Sequence, residues 1–115
     1  MNKRVIGNAK ETQAIDYLMK QGYKILERNY YTRAGEIDII AMDGNYLAFV
    51  EVKYRWNEGY GFPSEAVHYK KQRKIIQCAR YYLFTHGFRE YVPCRFDVIV
   101  LLGEEIHLIK HAYNA

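Results

Sequence analysis

The sequence predicts an α/β fold, a mixed central sheet flanked by helices, in the order α-β-β-β-α-β with a trailing strand. Three observations carry this. Apolar residues recur at helical spacing over 8–21 and again from about 64 to 86, whereas 35–42, 46–55 and 94–102 read as buried strands. Asp43-Gly44 joins two of those strands and is a strong hairpin signal. Half of the 115 residues are hydrophobic, enough for a real core without disulfides or a structural metal. One domain, 1–115, is expected, because no linker, repeat or low-complexity segment interrupts it.

The elements follow in order. Asn8 to Gln21 is expected to be the first helix, with Asn8 as its N-cap and Gly22 as its stop. Tyr23 to Asn29 is a first strand, and Gly35 to Met42 and Tyr46 to Arg55 are two more. A glycine- and aromatic-rich loop, Trp56 to Phe62, leads to a long helix from about Ser64 to His86. Ser64 is its expected cap, with Pro63 and Glu65 alongside and Gly87 at its end. Cys94 to Leu102 is a fourth strand, and Ile106 to Lys110 a short fifth, turned by Gly103. The two prolines, Pro63 and Pro93, fall where elements change.

Composition narrows the function classes. The formal charge of +4 and pI near 9.0 favour an anionic partner. Cys78 and Cys94 stand far apart with no Cys-x-x-Cys, so reduced thiols in a cytoplasmic protein are expected and structural zinc is not. The basic N-terminus lacks the apolar run of a signal peptide, and nothing approaches a membrane-spanning length. No membrane partner is expected. Twelve tyrosines and one tryptophan supply rings suited to packing with a wet hydroxyl, or to base stacking.

The charges on the strands are the strongest functional signal. Glu36 and Asp38 are two apart on one strand, and Glu51 and Lys53 are two apart on the next, so each pair shares a face. Unpaired charges are normally kept off buried strands, because burying one costs several kcal/mol or more. If Asp43-Gly44 is the centre of a two-residue turn, Asp38 opposes Phe49 and Glu36 opposes Glu51. All four charges then project to one side. The first helix adds another acid. Its apolar stripe is Ala14, Ile15, Leu18 and Met19, and Glu11 lies on that stripe. On the second helix Lys71 falls between Val67 and Ile75 on the apolar face, flanked by Lys70, Arg73 and Lys74.

Four converging acids would repel one another and raise their own pKa values, and a divalent cation would remove the conflict. Carboxylate oxygens without thiolates or spaced histidines suit Mg²⁺ or Mn²⁺. Lys53 beside the metal would position or activate a water and stabilise charge developing on a phosphate. Glu-x-Lys alone would read as a surface ion pair on an edge strand. The spaced Asp38, the apolar flanks and the inward Glu11 favour a functional site instead. Glu36, at the strand start, has solvation as a simpler explanation. Lys70, Arg73 and Lys74 divide between a solvated helix face and a phosphate-contacting patch. Tyr30, Tyr31, Trp56 and Tyr60 suit loop packing, with Trp56 a candidate for stacking. Arg95 and Asp97 need be no more than an ion pair, and the four histidines show no ligand spacing.

Asp38, twelve intervening residues and Glu51-Val52-Lys53 resemble the PD-(D/E)xK motif of the restriction-endonuclease-like superfamily, whose common core has the same element order. The chain resembles the YraN family of small bacterial proteins still more closely, a family related to archaeal Holliday-junction resolvases. The similar stretches are Gly7 to Glu11, Arg28-Asn29, Gly35 to Ala41, Phe49 to Arg55, Glu65-Ala66-Val67 with Lys71, and Arg95 to Val98. Ile37 stands where the motif's name has proline, which many resolvase-like members also lack. The resemblance implies that Asp38 and Glu51 hold the metal with the Val52 carbonyl as third ligand, Glu11 and Glu36 being further candidates. It also implies that Lys53 acts on the attacking water and that Glu11 completes or orients the acidic site.

The expectation is therefore a Mg²⁺- or Mn²⁺-dependent endonuclease cutting branched or structured DNA, with Glu11, Asp38, Glu51 and Lys53 catalytic. Arg33, Arg55, Trp56, Lys70, Lys71, Arg73 and Lys74 are assigned to the nucleic acid. A homodimer is implied by analogy with enzymes that cut two strands symmetrically. Two alternatives stand beside this: a non-catalytic nucleic-acid-binding module that keeps the fold, and an adaptor whose tyrosine-rich surface binds another protein.

Overall fold

The structure, a computed structural model, describes residues 3–55, 68–88 and 92–115. Its elements are α1 (Lys3–Lys20), β1 (Lys24–Thr32), β2 (Gly35–Asp43), β3 (Tyr46–Arg55), α2 (Tyr69–Thr85), β4 (Cys94–Leu102) and β5 (Glu105–Tyr113). The strands form one five-stranded sheet in the order β1-β2-β3-β4-β5. Only β3 and β4, the pair joined through α2, run parallel; the other neighbours are antiparallel. A mixed sheet flanked by helices is the architecture expected, and no helix is long and apolar enough to cross a membrane among the described residues.

Each face of the sheet buries its own core. Ile40, Leu47, Phe49, Phe96, Val98 and Val100 pack under α2 against Ile75, Cys78, Ala79 and Tyr82. Ile39, Ala41, Ala48, Val50, Ile99 and Leu101 pack on the other face with Ala14 and Leu18 of α1. Burial of side chains such as Leu18 or Phe49 contributes about 1.5–3 kcal/mol each. Both helices end on a glycine at positive φ, Gly22 at 94° and Gly87 at 68°. Tyr23 N–H donates to Leu18 O and Gly22 N–H to Met19 O, each at 3.0 Å. This Schellman ending sets Tyr23 against Leu18 in the same core.

Several boundaries depart from the sequence reading. The first helix begins at Lys3, not Asn8, because nothing in 3–6 breaks a helix and one glycine costs only ~1 kcal/mol. Asn8 is thus no cap; its carbonyl accepts from Thr12 Oγ1 and Arg28 Nη2. Met19 is exposed, so the stripe is narrower than expected. β1 and β5 run longer than expected, to Thr32 and over Glu105–Tyr113. The expected cap Ser64, with Pro63, lies outside the described residues; α2 is first described at Tyr69, preceded by His68 without a side-chain cap bond.

The hairpin turn is also displaced. Asp43 pairs with Tyr46, so the two turn residues are Gly44 and Asn45 rather than Asp43 and Gly44. Glycine in the first turn position at φ 60° suits a type II′ turn. Asp43 stays in the strand, where its carboxylate accepts from Arg95 and Lys110. The pairing shifts by two residues, an even number, so no side chain changes face on that account. No atom lies within 4 Å of a Cβ built on Gly44. Gly44→Ala should therefore cost ~1–2 kcal/mol from backbone conformation alone, read as a lower urea midpoint. A loss of only a few tenths would mean the turn relaxes to another geometry.

The ion pair expected of Arg95 and Asp97 is the centre of a larger buried network. Arg95 donates to both Asp97 oxygens at 2.8 Å and to Asp43 at 2.7 Å. Tyr23 Oη donates to Asp97 at 2.8 Å, and His111 N–H does so at 2.9 Å. It ties β4 to β2, β5 and the chain just after α1.

Candidate active site

Asp38 sits where the sheet opens. The β2–β3 register pairs run from Asp43↔Tyr46 only as far as Ile39↔Val50, one step short of Asp38 and Glu51. Asp38 Oδ2 accepts from Val52 N–H at 2.8 Å, so a side chain meets that amide just beyond the ladder. On its other side β1 carries Asn29 in the left-handed region at φ 55°, between the pairs Arg28↔Ile39 and Tyr30↔Ile37. Asparagine tolerates that conformation better than most residues. It changes which side of the sheet the chain presents: Arg28 reaches α1, whereas Tyr30 packs on Tyr82 of α2. Ile37 likewise joins the core under α2, although strict alternation would group it with Ile39. The single-face argument for Glu36 and Asp38 thus fails locally: the alternation breaks at Asp38 itself.

Glu51 is buried at 4% exposure, and two lysines meet it. Lys53 Nζ is 3.6 Å from Oε1, and Lys71 Nζ of α2 contacts the same oxygen directly. Burial, then the neighbouring Lys71 ammonium, lowers the Lys53 pKa below its ordinary value. Burial opposes the charge on Lys71 too, but hydrogen bonding and attraction from Glu51 outweigh it and the pKa is raised.

Glu11 and Glu36 complete the acidic surround. Glu11 faces the sheet as expected, with Arg28 Nε at 3.7 Å and its Oε1 buried without a hydrogen bond. Burial raises its pKa; Arg28 opposes this, while Glu36 and Glu51 add to it. Asp38 responds most strongly, pushed up to about 8 by burial first and then by Glu51, with smaller contributions from Glu11 and Glu36. The Val52 amide pulls the other way. Glu36 and Glu51 therefore act electrostatically on Glu11 and Asp38, across elements that the sequence separates widely.

These residues fit a hard divalent cation in chemistry: carboxylate oxygens that crowd one another, one of them buried and without a donor. They are not gathered as a finished cage. Among the described residues no three His, Cys, Asp or Glu side chains are grouped to hold a metal, and Glu51 is turned onto lysines.

The residues assigned to nucleic acid separate into groups. Lys70, Lys71 and Lys74 line an open groove of about 820 Å³ with Gly35 and Glu36 at the start of β2. Arg73 turns away and donates to Tyr69 Oη at 3.2 Å. Arg33 is exposed in the β1–β2 turn, Arg55 ends β3 with a bond to the Tyr54 carbonyl, and Trp56 and Tyr60 lie outside the described residues. Tyr30 is a packing residue and Tyr31 is exposed on β1. Sequence reasoning placed Lys71 on the apolar face but missed its contact with Glu51, and it missed Arg28 as the partner of Glu11. The anomaly of a lysine among apolar residues was the available signal for the first.

Fold and site together define a small α/β protein with an acid-and-lysine centre where the sheet opens between β2 and β3. The chain belongs to the uncharacterised protein family UPF0102, the YraN family of the resemblance above, whose model matches residues 10–101. A UPF0102 protein of Lachnoclostridium phytofermentans is 57% identical over 115 residues, covering 100% of this chain and 98% of the relative. One from Caldanaerobacter subterraneus subsp. tengcongensis is 44% identical, covering 100% and 97%. Another from Fusobacterium nucleatum is 44% identical, covering 96% and 92%.

Proposed function

We propose that this chain is a Mg²⁺- or Mn²⁺-dependent endonuclease that hydrolyses phosphodiester bonds in branched or structured DNA, in the manner of a Holliday-junction resolvase. The crowding at Asp38 carries this reading. A carboxyl group buried in the opening of a sheet, raised to about 8 by burial and by neighbouring acids, costs the fold stability and gains it little packing. Asp38 and Glu51 would hold the cation with the Val52 carbonyl, and Glu11 and Glu36 would set the surrounding charge. When bound, that cation supplies Lewis-acid polarisation of the phosphate and a water of lowered pKa. Lys53, half-buried beside Glu51, orients the attacking water and meets charge that develops on the phosphate oxygens. Lys70, Lys74 and Arg55 offer cations to the flanking phosphates, and a homodimer would present two sites to a junction.

The test is cleavage of four-way, flap, nicked and linear duplexes in Mg²⁺ or Mn²⁺. Lys53→Met should slow cutting about a hundredfold, the scale of a lost acid–base or water-orienting group. DNA affinity at fixed salt should change far less. Equal losses of binding and cleavage would make Lys53 a strand contact and remove its chemical role.

Two observations favour a second reading, a nucleic-acid-binding module without chemistry. Glu51 already carries Lys71 as its counter-ion, and the described residues hold no ready metal cage. That module would bind DNA in a salt-sensitive way, indifferent to Asp38→Asn and Glu51→Gln, and would cut none of the substrates.

A further inference from the structure

We propose that Lys71 is a latch on Glu51, withdrawn when a phosphodiester strand enters the groove beside it, so that strand binding opens Glu51 to a divalent cation. The inference rests on the metal-dependent reading above and adds to it a means of coupling metal to substrate. Lys71 belongs to two places at once. Its ammonium contacts the buried Glu51 carboxylate, yet its side chain is 42% exposed and lines the groove with Lys70, Lys74 and Glu36.

A carboxylate as buried as Glu51 needs a positive charge close by, because leaving it unpaired costs several kcal/mol. Lys53 lies 3.6 Å away, outside hydrogen-bond range, so Lys71 is the direct partner in the free protein. A lysine ammonium is a compact charge on a flexible four-carbon stem, and it can exchange one anion for another without moving its helix. Lys70 and Lys74, one turn apart on α2, make the groove attractive to phosphates, while Glu36 is the acid in the same lining. A strand seated against Lys70 and Lys74 offers Lys71 a second anion. When the ammonium moves to it, Glu51 keeps only the more distant Lys53, and a divalent cation can restore the balance. The two binding events then favour each other, and by linkage the coupling is reciprocal.

The experiment compares Mn²⁺ affinity, read by electron paramagnetic resonance of the free ion, for wild type, Lys71→Met and Lys71→Arg, with and without oligo(dT). In wild type the oligonucleotide should tighten Mn²⁺ binding about tenfold, within the usual range for coupled sites. Lys71→Met should bind Mn²⁺ about tenfold more tightly without oligonucleotide and gain little when it is added. Lys71→Arg, which keeps the charge, should follow wild type. Equal affinity in wild type and Lys71→Met, each lost in Asp38→Asn, would overturn the latch and leave the metal site standing. No Mn²⁺ binding in any of them, with or without oligonucleotide, would overturn both. Should Lys71→Met fail to fold, the oligonucleotide effect in wild type decides: an unchanged affinity rejects the latch.

Discussion

Asp97→Ala should destabilise the fold by about 3–5 kcal/mol, the cost of stripping a buried ion pair of one partner. Asp97 is fully buried and accepts from Arg95 Nε and Nη2, Tyr23 Oη and His111 N–H, all at 2.8–2.9 Å. Removing its carboxylate leaves the Arg95 guanidinium, itself only 10% exposed, with Asp43 as its remaining acid. The Tyr23 hydroxyl and an N–H of β5 lose their acceptor as well. Arg95→Met combined with Asp97→Leu should cost less than the sum of the two single changes, since no lone charge stays buried. Urea denaturation of the three variants measures this. A loss under ~1 kcal/mol for Asp97→Ala would mean that water reaches Arg95 and that the network contributes little. The same network should weaken in acid. Hydrogen bonds from Lys110 and then Arg95 lower the Asp43 pKa below its ordinary 3.8, so its contribution is present above that value and lost as pH falls through the lower folded one.

Asp97 and Asp38 occupy equivalent predicaments at opposite sides of the sheet. Each lies beside an irregular edge strand whose facing residue has positive φ, His111 for Asp97 and Asn29 for Asp38. At Asp97 the register shift between Phe96 and Val98 turns the His111 N–H onto the carboxylate, and Arg95 neutralises it. At Asp38 one main-chain N–H arrives but no ion pair is made among the described residues, and after burial the strongest influence is the acid Glu51. The fold thus settles the buried Asp97 with an ion pair and a set of hydrogen bonds, whereas Asp38 is held among other acids.

That contrast also marks how far the sequence could be read. Strand patterning located β3 and β4 at their observed ends, and the helical stripe turned Glu11 inward, because these depend on local periodicity. The turn was misplaced by one residue because Asp43-Gly44 and Gly44-Asn45 are both good turn pairs. What decides between them is Asp43's distant partners, Arg95 and Lys110. Asn29 and His111 were illegible for a similar reason: a left-handed residue inside a strand is imposed by its neighbours across the sheet, not by its own preference. The acids of the site were legible as anomalies. Their partners, Arg28 for Glu11 and Lys71 for Glu51, were set by packing between elements and could not be read from spacing.

Asp38→Asn should abolish cleavage and yet make the folded protein more stable. The amide keeps an oxygen that can accept from Val52 N–H, so the backbone contact survives. The negative charge, held beside Glu51, Glu11 and Glu36, does not. The sign follows from linkage. Burial and those acids raise the Asp38 pKa from its ordinary 3.8 to about 8, so the folded state holds a proton that the unfolded state has released. Wild-type stability should therefore fall as pH rises from about 4 to about 8 and level off above that. Asp38→Asn lacks this penalty. Its advantage should be nil near pH 3, grow across the window and exceed ~1.4 kcal/mol, the equivalent of one pKa unit, by pH 8. Mn²⁺ should raise the Tm of wild type at pH 8 but not that of the variant, because a ligand stabilises only a state that binds it. Cleavage should drop about a thousandfold or more, as when a group that serves the developing charge is removed. A variant no more stable than wild type at pH 8 would show that Asp38 carries no stored repulsion, while equal cutting by both would remove it from the chemistry. Gained stability with lost activity is the signature of a residue kept for function against the preference of the fold.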